Sequence, residues 1–288
     1  MEKIRYINEN HSTNIREKEG VTYITFPKLE RYQEDMIHGF STRLGGVSEG
    51  YLGSMNLSFT RGDDRERVLE NHRRFARALG YDEKKLVFSN QVHLTRFHKV
   101  TEEDCGKGIT KESDIIEIDG LVTDKPGIPL ITFYADCVPL FFYDPVKHVI
   151  AMAHSGWRGT VERIGAKMIA YMEAEYGSRP QDIICAIGPS ICQSCYEVSE
   201  DVAMHFLEVF GDSYGDSLLY RKENGKYQLN LHKACEITLL DAGVQAEHLD
   251  VTDLCTCCNP ELLFSHRASS GQRGNLAGVM MLREKQSI

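Results

Sequence analysis

The sequence predicts an α+β fold in which mixed β-sheets are covered by helices. Apolar runs at 128–134, 138–143 and 148–153 are typical of buried strands, and the turn Asp144-Pro145 joins the last two into a tight hairpin. Other segments carry apolar residues at three- and four-residue spacing, which indicates amphipathic helices. Because strands and helices do not alternate strictly, we favour a mixed sheet over a purely parallel, doubly wound one.

The remaining elements follow from periodicity and from helix-capping residues. A helix is predicted from a cap at Asp63 or Asp64 to Gly80, and others at 161–176, 199–210 and 231–242. Further strands are predicted at 21–26, 86–94, 183–188 and 277–282. The glycine-rich segment 38–50 is predicted to be a loop of tight turns. No repeat or linker divides the chain, so we expect one domain over residues 1–288.

Composition excludes several classes of protein. The chain has 288 residues, of which 42% are hydrophobic and 26% charged, as in ordinary globular proteins. No apolar run is long enough to cross a bilayer, and a net charge of -9 argues against a broad nucleic-acid-binding surface. The first ten residues are too polar for a signal-peptide core, so the nine cysteines are expected to be reduced thiols of a cytoplasmic protein. We therefore expect neither a nucleic acid nor a membrane as partner.

Three candidate reactive residues, His93, Cys137 and His154, lie at or near the ends of predicted strands. Strand ends are positions where a rigid scaffold can hold polar side chains outside the core. Two imidazoles and a thiolate suit Zn²⁺ with a fourth position open, whereas Cys with His alone suits a nucleophile and its base. Their spacings of 44 and 17 residues match no short zinc-finger pattern, so the residues alone leave both chemistries open.

Two glycine-rich loops offer groups that could bind an anion or a polar ring. Ser-Gly-Trp-Arg-Gly at 155–159 precedes a predicted helix, whose N-terminus favours an anion, and Arg158 could add a planar fork for phosphate. The earlier loop offers the hydroxyl of Ser41 and the guanidinium of Arg43. For both loops the alternative is ordinary packing with a solvated arginine.

Two cysteine groups raise the question of a structural zinc site. Cys192-x-x-Cys195 has ribbon-like spacing, but Cys255-x-Cys257-Cys258 is irregular and lies 60 positions further on. We therefore interpret them as reduced packing cysteines rather than as metal ligands.

Taken together, the motifs resemble those of the YfiH/YlmD family, long labelled multicopper polyphenol oxidases or laccase domains and related to mammalian FAMIN. The resemblance covers nearly the whole chain. It implies a four-layer α+β fold of mixed sheets and a catalytic zinc on His93, Cys137 and His154, with copper a less favoured metal. The motifs are His-Gly-Phe-Ser-Thr-Arg-x-Gly-Gly-Val-Ser at 38–48, Asn-Gln-Val-His at 90–93, Asp-Gly-Leu-Val-Thr at 119–123, Ala-Asp-Cys at 135–137, Ala-His-Ser-Gly-Trp-Arg-Gly at 153–159, Gly-Pro-Ser-Ile-Cys at 188–192, Cys-Tyr-Glu-Val at 195–198 and Phe-Ser-His-Arg at 264–267.

The resemblance also implies purine nucleoside phosphorylase activity on adenosine, inosine, guanosine and methylthioadenosine, together with adenosine deaminase activity. Purine nucleosides and phosphate are then the expected partners. In this hypothesis Ser41 and Arg43 contact the nucleoside, Arg43 also helps to polarise it, and Arg158 holds phosphate. Asp136 is the candidate carboxylate that moves protons. The C-terminal segment differs from the family's usual Arg-rich ending, which puts a substrate role for Arg267 or Arg273 in doubt.

Three rival functions are weighed against this one. A copper-dependent oxidase of phenols would need nearly all of the chain's 11 histidines, several of which lie outside any cluster. A cysteine hydrolase would use Cys137 as nucleophile and His154 as base, for example to edit peptidoglycan precursors. A zinc-stabilised binding module is disfavoured because three ligands leave the metal's coordination incomplete.

Overall fold

The computed structural model describes residues 4–284 and contains two six-stranded mixed sheets. The first sheet has the order β1-β2-β3-β15-β7-β4, and its pairs are antiparallel except for β4 with β7. Its strands are β1 Asn14–Lys18, β2 Val21–Thr25, β3 Met36–Ser41, β4 Val87–Phe88, β7 Leu130–Tyr134 and β15 Leu276–Leu282.

The second sheet contains the predicted hairpin at its centre. Its order is β14-β10-β8-β9-β6-β5, with parallel pairs only at its two edges, β10 with β14 and β5 with β6. Its strands are β5 Phe97–Lys99, β6 Gly120–Thr123, β8 Val138–Asp144, β9 Val149–Ser155, β10 Ile184–Ile187 and β14 Leu249–Val251.

A three-stranded antiparallel sheet and the helices complete the described architecture. The small sheet has the order β11-β13-β12, with strands β11 Glu197–Val198, β12 Leu219–Arg221 and β13 Tyr227–Leu229. The α-helices are α1 Pro27–Glu30, α2 Arg65–Leu79, α3 Trp157–Val161, α4 Ile164–Tyr176, α5 Glu200–Phe210 and α6 Leu231–Asp241.

The two large sheets pack face to face, and helices cover both outer surfaces. Along β8, Phe141 and Tyr143 point into the core between the sheets, whereas Leu140 and Phe142 point towards the helices α4, α5 and α6. On the other side, Phe75 of α2 packs against the outer face of the first sheet. Burial on both faces explains why these strands read as continuous apolar runs. The predicted four-layer α+β arrangement is confirmed.

Several predicted elements are confirmed with small shifts at their ends. Helix α2 begins after Asp64, whose carboxylate accepts the backbone N–H groups of Glu66 and Arg67, and it ends at Gly80 in the left-handed conformation. The predicted helix 161–176 is instead two helices. Helix α3 begins earlier, at Trp157, and Arg163 in the left-handed region separates it from α4.

Two predictions about the first half of the chain are wrong. The first four residues of the predicted 38–50 loop, 38–41, belong to the buried strand β3, where the His38 imidazole accepts a hydrogen bond from the Phe26 amide and so satisfies its polarity inside the sheet. The predicted strand 86–94 shrinks to Val87–Phe88. Beyond it, backbone N–H groups of residues 92–94 bond to the Asp119 carboxylate instead of to a neighbouring strand.

Among residues 4–284, no helix combines the length and apolar character that crossing a bilayer requires. The ends of the predicted domain 1–288, residues 1–3 and 285–288, lie outside the described part of the chain.

Candidate functional site

The three predicted metal ligands meet where chain segments leave the two large sheets. Cys137 lies in the turn that carries the chain from β7 of the first sheet to β8 of the second, His154 lies near the end of β9, and His93 lies in the loop after β4. Their candidate ligand atoms lie within 4.8 Å of one another. The Cys137 Sγ lies 3.8 Å from His93 Nε2. These side chains are therefore placed so that they could share one metal ion.

Asp119 orients the side chain of His154 and fixes the backbone at His93. Its fully buried carboxylate accepts a hydrogen bond at 2.8 Å from Nδ1 of His154, which leaves Nε2 for Cys137. It also accepts the backbone N–H of His93 at 3.0 Å and thereby holds the loop that carries this residue at a positive φ of 66°. Fixing the tautomer and orientation of an imidazole in this way is typical of carboxylates that support metal-binding histidines.

The electrostatics of the site favour a negatively charged sulfur. Burial alone would raise the pKa of Cys137, but His154 and His93 lower it to about 6. Burial alone would lower the pKa of His154, but the sulfur of Cys137 and the carboxylate of Asp119 raise it to about 9. Without a metal, a thiolate and an imidazolium therefore face each other near neutral pH, and a thiolate is the form of Cys that binds metals or attacks carbon.

A pocket of about 370 Å³ opens above this cluster. This volume falls within the range of small-molecule sites. Its wall combines aromatic rings with polar and cationic groups, and its lining includes Phe59, Arg61, Phe88, Asn90, Gln91, His93, Phe133, Tyr134, Cys137, His154, Arg273 and Asn275.

Two arginines give the pocket a positive wall. Burial and the neighbouring Arg61 lower the pKa of Arg273 to about 10. The Nε atoms of both arginines are buried and have no hydrogen-bond partner among the described residues. Paired guanidinium groups with unused donors are suited to binding an anion.

Four other predicted site residues do not line this pocket, namely Ser41, Arg43, Asp136 and Arg158. The buried Ser41 Oγ accepts the Ala277 amide. The guanidinium of Arg43 donates to the carbonyls of Gly53 and Pro260. Arg158 is exposed, and its guanidinium lies 4.4 Å from the centre of the Trp157 ring. Their predicted substrate contacts stay predictions, and the contacts present are structural.

Asp136 also makes structural contacts. Its carboxylate accepts the Thr256 hydroxyl at 2.6 Å and the Arg267 amide at 2.7 Å, and its backbone has a φ of 86°. Asp tolerates this left-handed conformation better than most residues, and the sharp turn it forms aims Cys137 at the histidines. Its predicted role in proton transfer stays a prediction.

Sequence reasoning missed Asp119, Arg61 and the aromatic wall, and it doubted Arg273. The signal for Asp119 was an acidic residue placed directly before the buried strand β6. No comparable signal marked Arg61, because it lies in a polar turn before α2 that only the tertiary fold brings to the pocket.

Comparison with known proteins assigns the family. The sequence profile described as multi-copper polyphenol oxidoreductase laccase matches residues 37–283. This chain belongs to that family. It is 34% identical to purine nucleoside phosphorylase YlmD of Bacillus subtilis over 281 residues, which are 96% of this chain and 100% of that protein. The predicted YfiH/YlmD resemblance is confirmed.

Solved structures of the YfiH/YlmD family have the same fold. The hypothetical protein YfiH of Bacillus licheniformis superposes with a TM-score of 0.86 at 32% identity, covering 93% of this chain and 99% of its own. YlmD of Geobacillus stearothermophilus gives a TM-score of 0.85 at 32% identity, covering 94% of this chain and 99% of its own.

Proposed function

We propose that this protein is a zinc-dependent purine nucleoside phosphorylase. The observation that carries the proposal is the pocket in which His93, Cys137 and His154 converge beside the paired guanidinium groups of Arg61 and Arg273. The name of the Bacillus subtilis relative supports the same activity.

The donor set fits zinc. His93, Cys137 and His154 would hold the ion, and three protein ligands leave one position for substrate. When bound, zinc acts as a Lewis acid that polarises the substrate atom it contacts. Asp119 keeps Nε2 of His154 directed at the shared position, and it fixes the backbone of His93.

The pocket wall suits a purine. Phe59, Phe88 and Phe133 present ring surface on which a flat base can stack. Gln91 is not free to read the base, because its side-chain amide forms two hydrogen bonds with the Phe133 backbone, at 2.7 and 3.0 Å. Gln91 therefore holds the aromatic wall, while Asn90 remains available for a polar edge.

Arg61 and Arg273 are the proposed phosphate-binding residues, in place of the exposed Arg158. Their guanidinium groups would hold phosphate so that one of its oxygens attacks C1′ of the ribose. The bond between C1′ and the purine nitrogen breaks, its electron pair leaves with the purine, and the purine takes up a proton. The products are ribose 1-phosphate and the free base.

The finer parts of the proposal come from the resemblance. Adenosine, inosine, guanosine and methylthioadenosine are the proposed substrates. Adenosine deamination is a proposed second activity, in which water adds to C6 in the same pocket, the bond from C6 to the amino nitrogen breaks, and ammonia leaves to give inosine. For Asp136 we propose a positioning role, since Thr256 and Arg267 occupy its carboxylate.

One observation favours a second candidate function, a cysteine hydrolase. Cys137, His154 and Asp119 form a hydrogen-bonded series of nucleophile, base and orienting carboxylate. The pKa of Cys137, lowered to about 6, suits a nucleophile as well as a metal ligand. The two candidates differ in what a metal does, because an ion on the sulfur would block nucleophilic attack.

A phosphate-dependent assay separates these functions. Inosine is incubated with the protein with and without phosphate, and the released base is measured by chromatography. We expect base release only with phosphate, loss of activity after chelation, and recovery with zinc. Activity that rises on chelation would favour the hydrolase, and recovery with copper alone would favour the oxidase label. Full phosphorolysis by metal-free protein carrying Cys137→Ala would falsify the zinc proposal.

A further inference from the structure

Four cysteines outside the pocket converge on one point. We call Cys192, Cys195, Cys255 and Cys258 the thiol cluster; all their sulfur atoms lie within 4.8 Å of one another. The Cys258 Sγ lies 3.4 Å from Cys195 Sγ and 3.9 Å from Cys192 Sγ. The sequence led us to interpret these residues as packing cysteines. Packing alone does not account for their convergence, because cysteines that only fill the core need not lie next to one another.

The fold brings the two pairs together. Strands β10 and β14 are parallel neighbours, so their following segments leave the same end of the sheet. A bridge between Ser190 and Cys255 continues this pairing, and the Thr256 amide donates to the Ser190 carbonyl at 3.1 Å. Each segment then supplies a Cys-x-x-Cys pair. The intervening Cys257 made the second pair look irregular in the sequence.

The sulfur spacing fits a tetrahedral metal site. Zinc bound by four thiolates at about 2.3 Å places the sulfur atoms about 3.8 Å apart. A disulfide requires about 2.05 Å between sulfur atoms, and all nine cysteines are free in the structure. The Cys192 amide also donates to Cys255 Sγ at 3.2 Å, which stabilises negative charge on that sulfur.

We propose that the thiol cluster binds a second zinc ion with a structural role. Four cysteine ligands fill the tetrahedral shell and leave no position for a substrate. The ion would join the segment after β10 to the segment after β14, two stretches that are more than 60 residues apart in the chain. The proposal does not depend on the nucleoside phosphorylase activity.

The thiol cluster also borders the turn that carries Cys137. The Ile191 amide donates to the Asp136 carbonyl at 3.1 Å, and the Thr256 hydroxyl donates to its carboxylate. Ile191 precedes Cys192, and Thr256 follows Cys255. Loss of the second ion is therefore expected to loosen the turn at Asp136 and to lower activity indirectly.

The experiment removes the pocket ligands and asks whether zinc remains. The triple variant His93→Ala, Cys137→Ala, His154→Ala is expressed with zinc, and bound metal is measured by inductively coupled plasma mass spectrometry. We expect one zinc per chain, and X-ray absorption should show four sulfur ligands at about 2.3 Å. A triple variant without zinc, or an ion with fewer than four sulfur ligands, overturns the proposal.

Further substitutions in the triple variant test the assigned ligands. Cys195→Ser and Cys258→Ser should each lose most of the remaining zinc, whereas the matched control Cys257→Ser should keep it. Equal loss from Cys257→Ser and Cys258→Ser would refute the ligand set. If the ligand variants fail to fold, X-ray absorption of the triple variant decides alone. Non-reducing mass spectrometry that finds a disulfide within the cluster would also refute it.

Discussion

The candidate pocket site and the thiol cluster differ in donor type and in completeness. His93, Cys137 and His154 offer two nitrogens and one sulfur, and a pocket of about 370 Å³ lies above them. The thiol cluster offers four sulfurs and two buried members. Three ligands leave room for a reactant and four do not. The number of protein donors, more than the metal itself, therefore separates a reactive site from a structural one.

The same sheet positions both sites by different means. Cys137 directly precedes β8 and His154 lies on β9, at the centre of the second sheet, and the buried carboxylate of Asp119 orients the His154 ring and fixes the backbone of His93. The thiol cluster extends the parallel edge pair β10 and β14, and its segments are held by backbone pairing and by hydrogen bonds from Asn259 and Arg267 to the carbonyls of Cys255 and Cys195. Substitutions should therefore act directly on chemistry at the first site, whereas at the second they should act on stability and only indirectly on activity.

The largest expected effect is loss of catalysis at the pocket. Cys137→Ser removes the thiolate ligand with little change in volume, so we expect kcat/KM for inosine phosphorolysis to fall by about 100-fold or more. Zinc in the thiol cluster and the thermal unfolding temperature should stay nearly unchanged. Cys257→Ser serves as control and should retain normal kcat/KM. Equal loss of activity in both variants would contradict the division between the sites.

Asp119→Asn tests whether the carboxylate of Asp119 strengthens zinc binding at the pocket and leaves zinc binding at the thiol cluster unchanged. The amide removes the negative charge beside His154 and one acceptor for the backbone N–H groups, so zinc affinity at the pocket should fall about 10- to 100-fold. Titration with a competing chelator measures this affinity. Zinc held by the thiol cluster should resist the chelator as in the unsubstituted protein. An unchanged pocket affinity would show that Asp119 does not support the ligands.

The sequence predicted a mixed sheet covered by helices, and most of the elements, because burial on both faces leaves continuous apolar runs and helices leave caps. The four-layer arrangement was implied only by the family resemblance. The sequence also singled out His93, Cys137 and His154, partly through family resemblance. It could not reveal Arg61 and Arg273, because polar turns become neighbours only after the sheets pack. The thiol cluster escaped for a related reason: pairing of β10 with β14 is long-range, and Cys257 hid the second pair's spacing.

Acid is expected to act on the protein in two ways. Protons compete with the metal for the ligands of both sites, and they also lower the free energy of unfolding of the metal-free protein. Burial lowers the pKa of His72, whose ring packs against Phe59 and Phe88 behind the aromatic wall of the pocket, to about 4, although its hydrogen bond to the Leu57 carbonyl opposes the shift. The unfolded chain binds a proton near pH 6.5, so the free energy of unfolding should decrease as pH falls from 6.5 towards 4.

Denaturation by urea measures this contribution in metal-free protein. Between pH 7 and pH 5, His72 should account for a loss of about 2 kcal/mol, by proton linkage. His72→Gln keeps a donor for the Leu57 carbonyl and cannot titrate, so its stability should change less over this interval. An equally steep change in the variant would assign the acid sensitivity to other groups.

The smallest expected effect distinguishes two candidate phosphate-binding residues, Arg273 in the pocket wall and Arg158 outside the pocket. Arg273→Lys keeps a positive charge but removes the planar fork, so KM for phosphate should rise about tenfold while KM for inosine changes little. Arg158→Lys is the matched control, because its guanidinium is exposed on Trp157 outside the pocket. If phosphate KM rises only in the Arg158 variant, the anion binds at the N-terminus of α3 instead. Arg61 and Arg273 would then contact the nucleoside instead of phosphate. The coordination position that the three protein ligands leave open would face a different part of the substrate.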